Sequence, residues 1–473
     1  MSAWEELRAE VEDFTSNIRA HRVVGPVRPR ELRERIESRF DFASPIALEE
    51  LTRSVAALLR SSTVHVTHPR YFGLFNPSVR EAGIIADALA AAFNPQLATW
   101  SHAPAANELE RVTLRYFART LGFDPDSTFA NFTSGGQEAN ASAVLAAIAE
   151  HFPQAGDAGL AACGDPVIYL TGESHHSFVK IARMTGLGAR ALHEIPVTSD
   201  FSFDADALRQ HIEADRRNGR RPLMIVGTAG TTGGGVVDPL AALAGVADEF
   251  ELWFHVDAAW GGAAALVPRL RPLLAGIERA DSVTWDAHKW LSVPMGAGMF
   301  FCRSADAVRR AFGAAASYMP PGAGVETVDP YVTTMQWSRR AIGLKVFMSL
   351  AEQGAAAFSE MIDGQARIGD GLRTLLRDAG WIIVNNTMLP LVCFTHADIR
   401  AGRLTTERVL ETIYARGKVW ISDVVLGGRE RLLRACITSF RTNTDDLLCL
   451  LEELEFARRQ HRTATRAGGA SDS

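Results

Sequence analysis

Apolar residues recur at helical spacing through roughly the first sixty positions. Leu32, Ile36 and Phe40 stand about one turn apart, and a second stripe runs from Ala47 to Leu59. The stretch from His68 to Ser78 has no such period, and a helix is predicted from Ala82 to Phe93, apolar enough despite Asp87 to read as buried. From about residue 105 to 300 the period changes. Short β-branched or aromatic runs begin at Pro166, Leu223, Leu252, Ser282 and Gly298, and helical segments separate them. Strands that alternate with single helices predict βαβ units and a mostly parallel sheet, in which ligands collect at the carboxyl ends of the strands. A long helical region is predicted near Trp337 to Leu372. A smaller α+β unit follows, from Trp381 to a helix at Asp446–Arg458, and a frayed tail poor in large apolar residues ends the chain. The fold class is α/β.

Composition narrows the picture. With 473 residues, 47% of them hydrophobic, the chain is long enough for two or three domains with packed cores. The formal charge of −6 does not call for nucleic acid or a membrane surface as partner, since neutralising phosphates needs a basic footprint. No apolar run reaches the ~20 residues of a membrane helix, and the acidic, amphipathic N-terminus does not read as a signal peptide. Five scattered cysteines without a CxxC pair suit a reducing compartment, so a cytoplasmic protein is expected, with no metal site.

Four segments carry candidate chemistry. Thr133-Ser-Gly-Gly-Gln-Glu-Ala-Asn140 feeds a Gly-Gly turn into a helix, whose N–H groups and dipole attract an anion; a plain helix cap explains it as well. It is neither a P-loop nor GxGxxG. Phe254-His-Val-Asp257 delivers an acid to the end of a strand, where an N-cap is the ordinary alternative. Trp285-Asp-Ala-His288-Lys289-Trp290 sets a lysine among aromatic residues straight after a strand. Apolar surroundings disfavour an ammonium, and only a neutral amine attacks a carbonyl, which points to a Schiff-base lysine rather than a surface one. Ser174-His175-His176-Ser177 follows another strand; His65 and His68 read as structural. An anion cradle, an acid, a histidine plane and a lysine on one parallel sheet are the parts needed to hold pyridoxal 5′-phosphate.

At this point the chain resembles the group II pyridoxal-phosphate-dependent amino-acid decarboxylases, which include the aromatic-L-amino-acid and glutamate decarboxylases. The resemblance runs from His68-Pro-Arg-Tyr-Phe to Arg441. It is carried by His175-x-Ser177, Gly230-Thr-Thr232 with Asp238, His255-Val-Asp-Ala-Ala259 and His288-Lys-Trp290, all in family order. It implies the homodimeric fold-type I architecture: a helical segment over 1–85, a large cofactor domain over 86–355, a small domain over 356–458 and a tail over 459–473. It implies that Lys289 carries the cofactor, that Asp257 pairs with the pyridine nitrogen, and that His175 and Ala259 pack on the ring. Gly135, Gly136, Gln137 and His288 would surround the phosphate, and Thr232 would lie near the ring. Tyr318, in a loop rich in Pro and Gly, matches the family tyrosine that protonates the substrate Cα; a surface turn is the alternative reading.

The chain departs from the family pattern at Asp286-Ala287, where Asn-Pro is usual, and Met295-Gly-Ala-Gly298 is smaller than its animal counterpart. Trp260-Gly-Gly is similar to the glutamate and diaminobutyrate branches, whereas Thr99-Trp100-Ser101 and Ser439-Phe-Arg441 are similar to the aromatic branch. The expected reaction is decarboxylation of an L-amino acid to its amine. An aromatic substrate is favoured by Tyr71, Phe72, Phe75 and Trp100, which the resemblance sets at the pocket walls. Acidic or diaminobutyrate substrates, an aldehyde synthase, and a nucleotide-binding or non-catalytic α/β protein are the alternatives.

Overall fold

In the computed structural model, residues 2–75, 77–314, 318–319 and 327–468 are described, with side chains as far as His461. Seven strands form the central sheet: β1 (Phe129–Thr133), β2 (Pro166–Thr171), β3 (Leu192–Ile195), β4 (Arg221–Thr228), β5 (Trp253–Asp257), β6 (Ser282–Asp286) and β7 (Gly298–Cys302). Their order is β1-β7-β6-β5-β4-β2-β3, parallel throughout except β7, which runs against both neighbours. The five strands expected from their apolar runs are all present. Both faces of β4, β5 and β6 are covered, so these strands are almost wholly buried and read as continuous apolar runs rather than alternating ones.

Register fixes what the sheet presents. Thr228 stands opposite Asp257, and Asp257 opposite Thr284, so β4 and β5 end at one level and β6 runs two residues further, to Asp286. Helix α6 (Gly136–His151) begins there and buries an alanine-rich length, Ala139 to Ala149, against the sheet. Alanine lets helix and sheet approach closely, and the second core cluster forms at this contact around Val144, Phe178, Met224 and Phe300. The opposite face packs Phe117, Phe254, Trp260, Trp285 and Trp290. A separate antiparallel sheet, β8 (Ile382–Ile383), β9 (Leu391–Thr395), β10 (Ser422–Leu426) and β11 (Glu430–Cys436), is ordered β10-β11-β9-β8. It has its own core around Trp381, Phe394, Leu433 and Leu450.

Several expectations are corrected. The helix expected from Ala82 is α4 (Glu81–Phe93), but it is only half covered: Gly83, Ala86 and Ala90 face inward while Ile85, Leu89 and Phe93 are exposed. A Cβ at Gly83 would meet Pro294 Cδ at 2.5 Å, so close packing selects the small residues for the inner face. The stripes of α2 (Pro29–Arg39) and α3 (Leu48–Ser62) bury no residue fully. The long helix starts at Gly343 rather than near Trp337, ends at Asp378, and breaks at Gly354, whose φ of 75° suits glycine. The expected tail continues as helix from Thr444 to Gly468. Among the described residues, no helix is long and apolar enough to cross a membrane. The five cysteines form no disulfide.

Candidate active site

A cavity of about 290 Å³ opens where β4, β5 and β6 end, and it collects nine of the ten site residues expected from the sequence. Gly135, Gly136 and Gln137 enter from the first turn of α6, His175 from the turn after β2, and Thr232 from the turn after β4. Asp257 closes β5 with Ala259 beyond it, and His288 and Lys289 follow β6. A larger cavity, about 450 Å³, lies between α1 (Ala3–Ser16) and α3, and its walls are almost wholly apolar.

Asp257 is buried, and both its oxygens accept hydrogen bonds: Oδ2 from Asn140 Nδ2 at 2.8 Å and Oδ1 from the Ala259 N–H at 3.1 Å. Two bonds of this kind, one to each oxygen, fix the direction of the carboxylate. The Lys289 amine lies 2.9 Å from Asp286 Oδ2 and 5.7 Å from the Phe75 ring centre. Asp286 is itself 2% exposed, and its Oδ1 has no hydrogen-bond partner among the described residues. The departure from the family's Asn-Pro thus gives the lysine a carboxylate partner.

Burial pushes both site histidines below the usual imidazole range, which keeps them neutral near pH 7. The Ser177 N–H donates to His175 Nδ1 at 3.2 Å, and the Ala297 N–H donates to His288 Nδ1 at 3.1 Å. Each ring therefore carries its proton on Nε2. At the other end of the cavity, a Cβ on Gly136 would lie 2.8 Å from Asp286 Oδ2 and 3.4 Å from the Ala259 methyl, and a Cβ on Gly298 would strike the Thr133 hydroxyl. A helix N-terminus and the Nε2–H of His288 make a donor set that fits a phosphate. These residues fit pyridoxal phosphate.

Tyr318 is not in this set. Its side chain is 76% exposed and leans on Trp337 at 6.1 Å, and residues 315–317 and 320–326 of its loop lie outside the described ones. Of the four aromatic residues expected at the pocket walls, only Phe75 lines the cavity. Tyr71 stacks on Trp420, Phe72 belongs to the core of the small sheet, and Trp100 donates its indole N–H to Glu108. His65 and His68 are structural: each ring Nδ1 engages backbone, at Arg22 and Arg70.

Asn140 and Trp260 stand within the motifs, but the motifs give no role to Asn140, to the Trp260 ring that packs on Phe75 at 4.6 Å, or to Arg434. Arg434 is 2% exposed, sits 5.0 Å from the Phe75 ring centre and donates to the carbonyls of Thr232 and Gly73, while its Nη2 lacks a partner among the described residues. A guanidinium inside the apolar run Leu432-Leu-Arg-Ala-Cys436 was the available signal, because arginine is rarely buried without a task.

The chain is similar to known proteins in sequence and fold. A family model described as "Pyridoxal-dependent decarboxylase conserved domain" matches residues 29–397. An aromatic-L-amino-acid decarboxylase of Bacillus atrophaeus is 28% identical over 83% of this chain and 81% of its own length. A 4-hydroxyphenylacetaldehyde synthase of Rhodiola rosea is 28% identical, over 94% and 93% of the two chains. The crystal structure of Oryza sativa TDC with PLP and tryptamine superposes with a TM-score of 0.89 at 25% identity, covering 97% of each chain. The fold-type I architecture implied by the resemblance is the one this chain adopts.

Proposed function

Because the chain belongs to the pyridoxal-dependent decarboxylase family, we propose that the carboxylate it removes is that of an aromatic L-amino acid. The chain is a pyridoxal-phosphate-dependent amino-acid decarboxylase, yielding an amine and carbon dioxide. The observation that carries the reading is the meeting of Lys289, Asp257, His175 and the α6 cradle in one cavity from four separate segments. The aromatic assignment is supported by the Phe75–Trp260 wall and by the relatives named for aromatic substrates.

Pyridoxal phosphate, when bound, supplies an electron sink for the pair left on Cα as the carboxylate departs. The rest falls to the chain. Gly135, Gly136, Gln137 and His288 would hold the phosphate, and Lys289 would anchor the aldehyde. Asp257 would hold a proton at the ring nitrogen, with neutral His175 and Ala259 on the two ring faces and Thr232 at its edge. Phe75 and Trp260 would exclude water from the reacting carbon. The Tyr318 hydroxyl would return a proton to Cα.

The test is to incubate purified protein and pyridoxal phosphate with the common amino acids, ornithine, diaminobutyrate and DOPA, and to identify the amines by mass spectrometry. Aromatic amines support the assignment; amines from acidic or diaminobutyrate substrates alone would replace it. Lys289→Ala should yield colourless protein without activity, and colour retained in that variant would overturn the anchor.

A second reading, an aldehyde synthase, is favoured by the exposure of Tyr318 and by the synthase among the relatives. Aldehyde, ammonia and peroxide in place of amine would establish it. With the decarboxylase, Tyr318→Phe should lower amine yield and raise aldehyde.

The chain would act as a cytoplasmic homodimer. Exposed apolar side chains on the N-terminal helices (Trp4, Leu48, Leu59) and on α4 support that state, which light scattering checks as twice 51.4 kDa.

A further inference from the structure

A chain of hydrogen bonds runs through the sheet to Asp257, and its protons can be ordered. Trp253 Nε1 lies 2.8 Å from Ser282 Oγ, and Ser282 Oγ lies 2.8 Å from His255 Nδ1. His255 Nε2 is 3.0 Å from Asn140 Oδ1, and Asn140 Nδ2 is 2.8 Å from Asp257 Oδ2. All five residues are buried. The sequence builds this from three elements. Alternation along β5 puts Trp253, His255 and Asp257 on one face, parallel register sets Ser282 beside His255, and α6 lowers Asn140 between His255 and Asp257.

Asn140 donates through Nδ2 to Asp257, so its Oδ1 accepts from His255 Nε2. Nδ1 of a neutral ring then accepts the Ser282 hydroxyl proton, and Ser282 Oγ accepts from the Trp253 indole N–H. Burial pushes His255 down to about 4, so the ring is neutral and its one proton sits on Nε2, facing Asn140 Oδ1. That bond fixes the amide and leaves its NH₂ to donate to Asp257. Every proton points toward the carboxylate. The edge of Phe178 closes the far side of the His255 ring, with centroids 6.2 Å apart.

We propose that Trp253, Ser282, His255 and Asn140 are positioning residues that keep the Asp257 carboxylate aimed at the cofactor nitrogen, with His255 setting the orientation of the Asn140 amide. The proposal rests on the reading of Asp257 as the partner of that nitrogen. Without a donor at His255, the amide is held only through its NH₂, by Asp257 Oδ2 and by Ser177 Oγ at 3.5 Å, and can turn its oxygen against Asp257 Oδ2. That contact is repulsive, and a carboxylate turned away by it no longer holds a proton at the pyridine nitrogen.

The experiment loads the enzyme with pyridoxal phosphate isotopically labelled at the pyridine nitrogen, reads that nitrogen's NMR shift, and titrates cofactor affinity on the same samples. Asp257→Asn and His255→Leu should both move the shift to the unprotonated position and weaken cofactor binding about tenfold or more, the scale of one charge-assisted hydrogen bond. Ser282→Ala should move the shift part of the way. His255→Gln should restore it, because one amide can accept from Ser282 and donate to Asn140. If Asp257→Asn moves the shift and the His255 and Ser282 variants do not, the relay is overturned and the Asp257 reading stands. If Asp257→Asn leaves the shift unmoved, that reading falls and the relay with it. Should His255→Leu not fold, a displaced shift in Ser282→Ala beside a native one in His255→Gln supports the relay, and identical shifts in the two overturn it.

Discussion

A methyl group added at position 136 has nowhere to go. Its nearest neighbours are Asp286 Oδ2 at 2.8 Å, held in place by Lys289, and the Ala259 methyl at 3.4 Å. Gly136→Ala should cost about 1–3 kcal/mol of stability, the usual price of overpacking, and should also weaken cofactor binding. Thermal unfolding and a pyridoxal phosphate titration read the two effects separately. The Lys289–Asp286 pair makes a second residue-scale prediction. Lys289→Ala leaves Asp286 as a buried carboxylate without its cation, a loss on the order of 1–3 kcal/mol after allowing for the partial exposure of Lys289. Adding Asp286→Asn to that variant should recover part of the unfolding midpoint while leaving the protein colourless. A double variant no more stable than the single one would show that the pair carries little energy.

Among the elements, those expected from the sequence are the ones whose apolar runs are long and buried on both faces, as Leu223–Val226 and Trp253–Val256 are. β1 and β3 were not foreseen. Phe129–Thr133 is interrupted by Asn131, and Leu192-His-Glu-Ile195 is a short polar edge strand, where one side needs no apolar cover. The site divides in the same way. Lys289, Asp257 and His175 stand in compact motifs, whereas Asn140 reaches Asp257 across 117 positions, and such a contact has no local signature. Phe75 and Arg434 likewise meet only in the folded chain. Helix α4 has the apolar pattern of a helix, but within the single chain its small residues face inward and Ile85, Leu89 and Phe93 outward. If that outer stripe is the subunit contact, Leu89→Glu with Phe93→Glu should halve the mass measured by light scattering and lower activity. An unchanged mass would place the contact elsewhere.

For the whole molecule, the buried titratable groups set opposing dependences of stability on pH. Burial pushes His68 and His255 each down to about 4, while in the unfolded chain both titrate near 6.5. Between those values the unfolded chain binds more protons, so their contribution is present above pH ~6.5 and is lost as the pH falls toward 4. Asp238 and Asp281 act in the other direction. Burial raises them to about 7 and about 6, well above the ordinary carboxylate value, so the folded chain binds the extra proton. Their contribution is present at low pH and is lost as the pH rises through those values. From about pH 4 to 6 the two pairs largely cancel, and near neutrality Asp238 dominates. It is wholly buried, accepting from the Thr228 N–H at 2.7 Å and the Phe203 N–H at 2.9 Å, and ionising it there requires desolvation of the charge. The two donors meet different oxygens, so Asp238→Asn keeps only one of these bonds, and it removes the titration. Its unfolding midpoint should therefore gain on that of the natural chain as the pH is raised from about 5 to about 8, and a gap that stays constant would show that Asp238 does not change charge in this range.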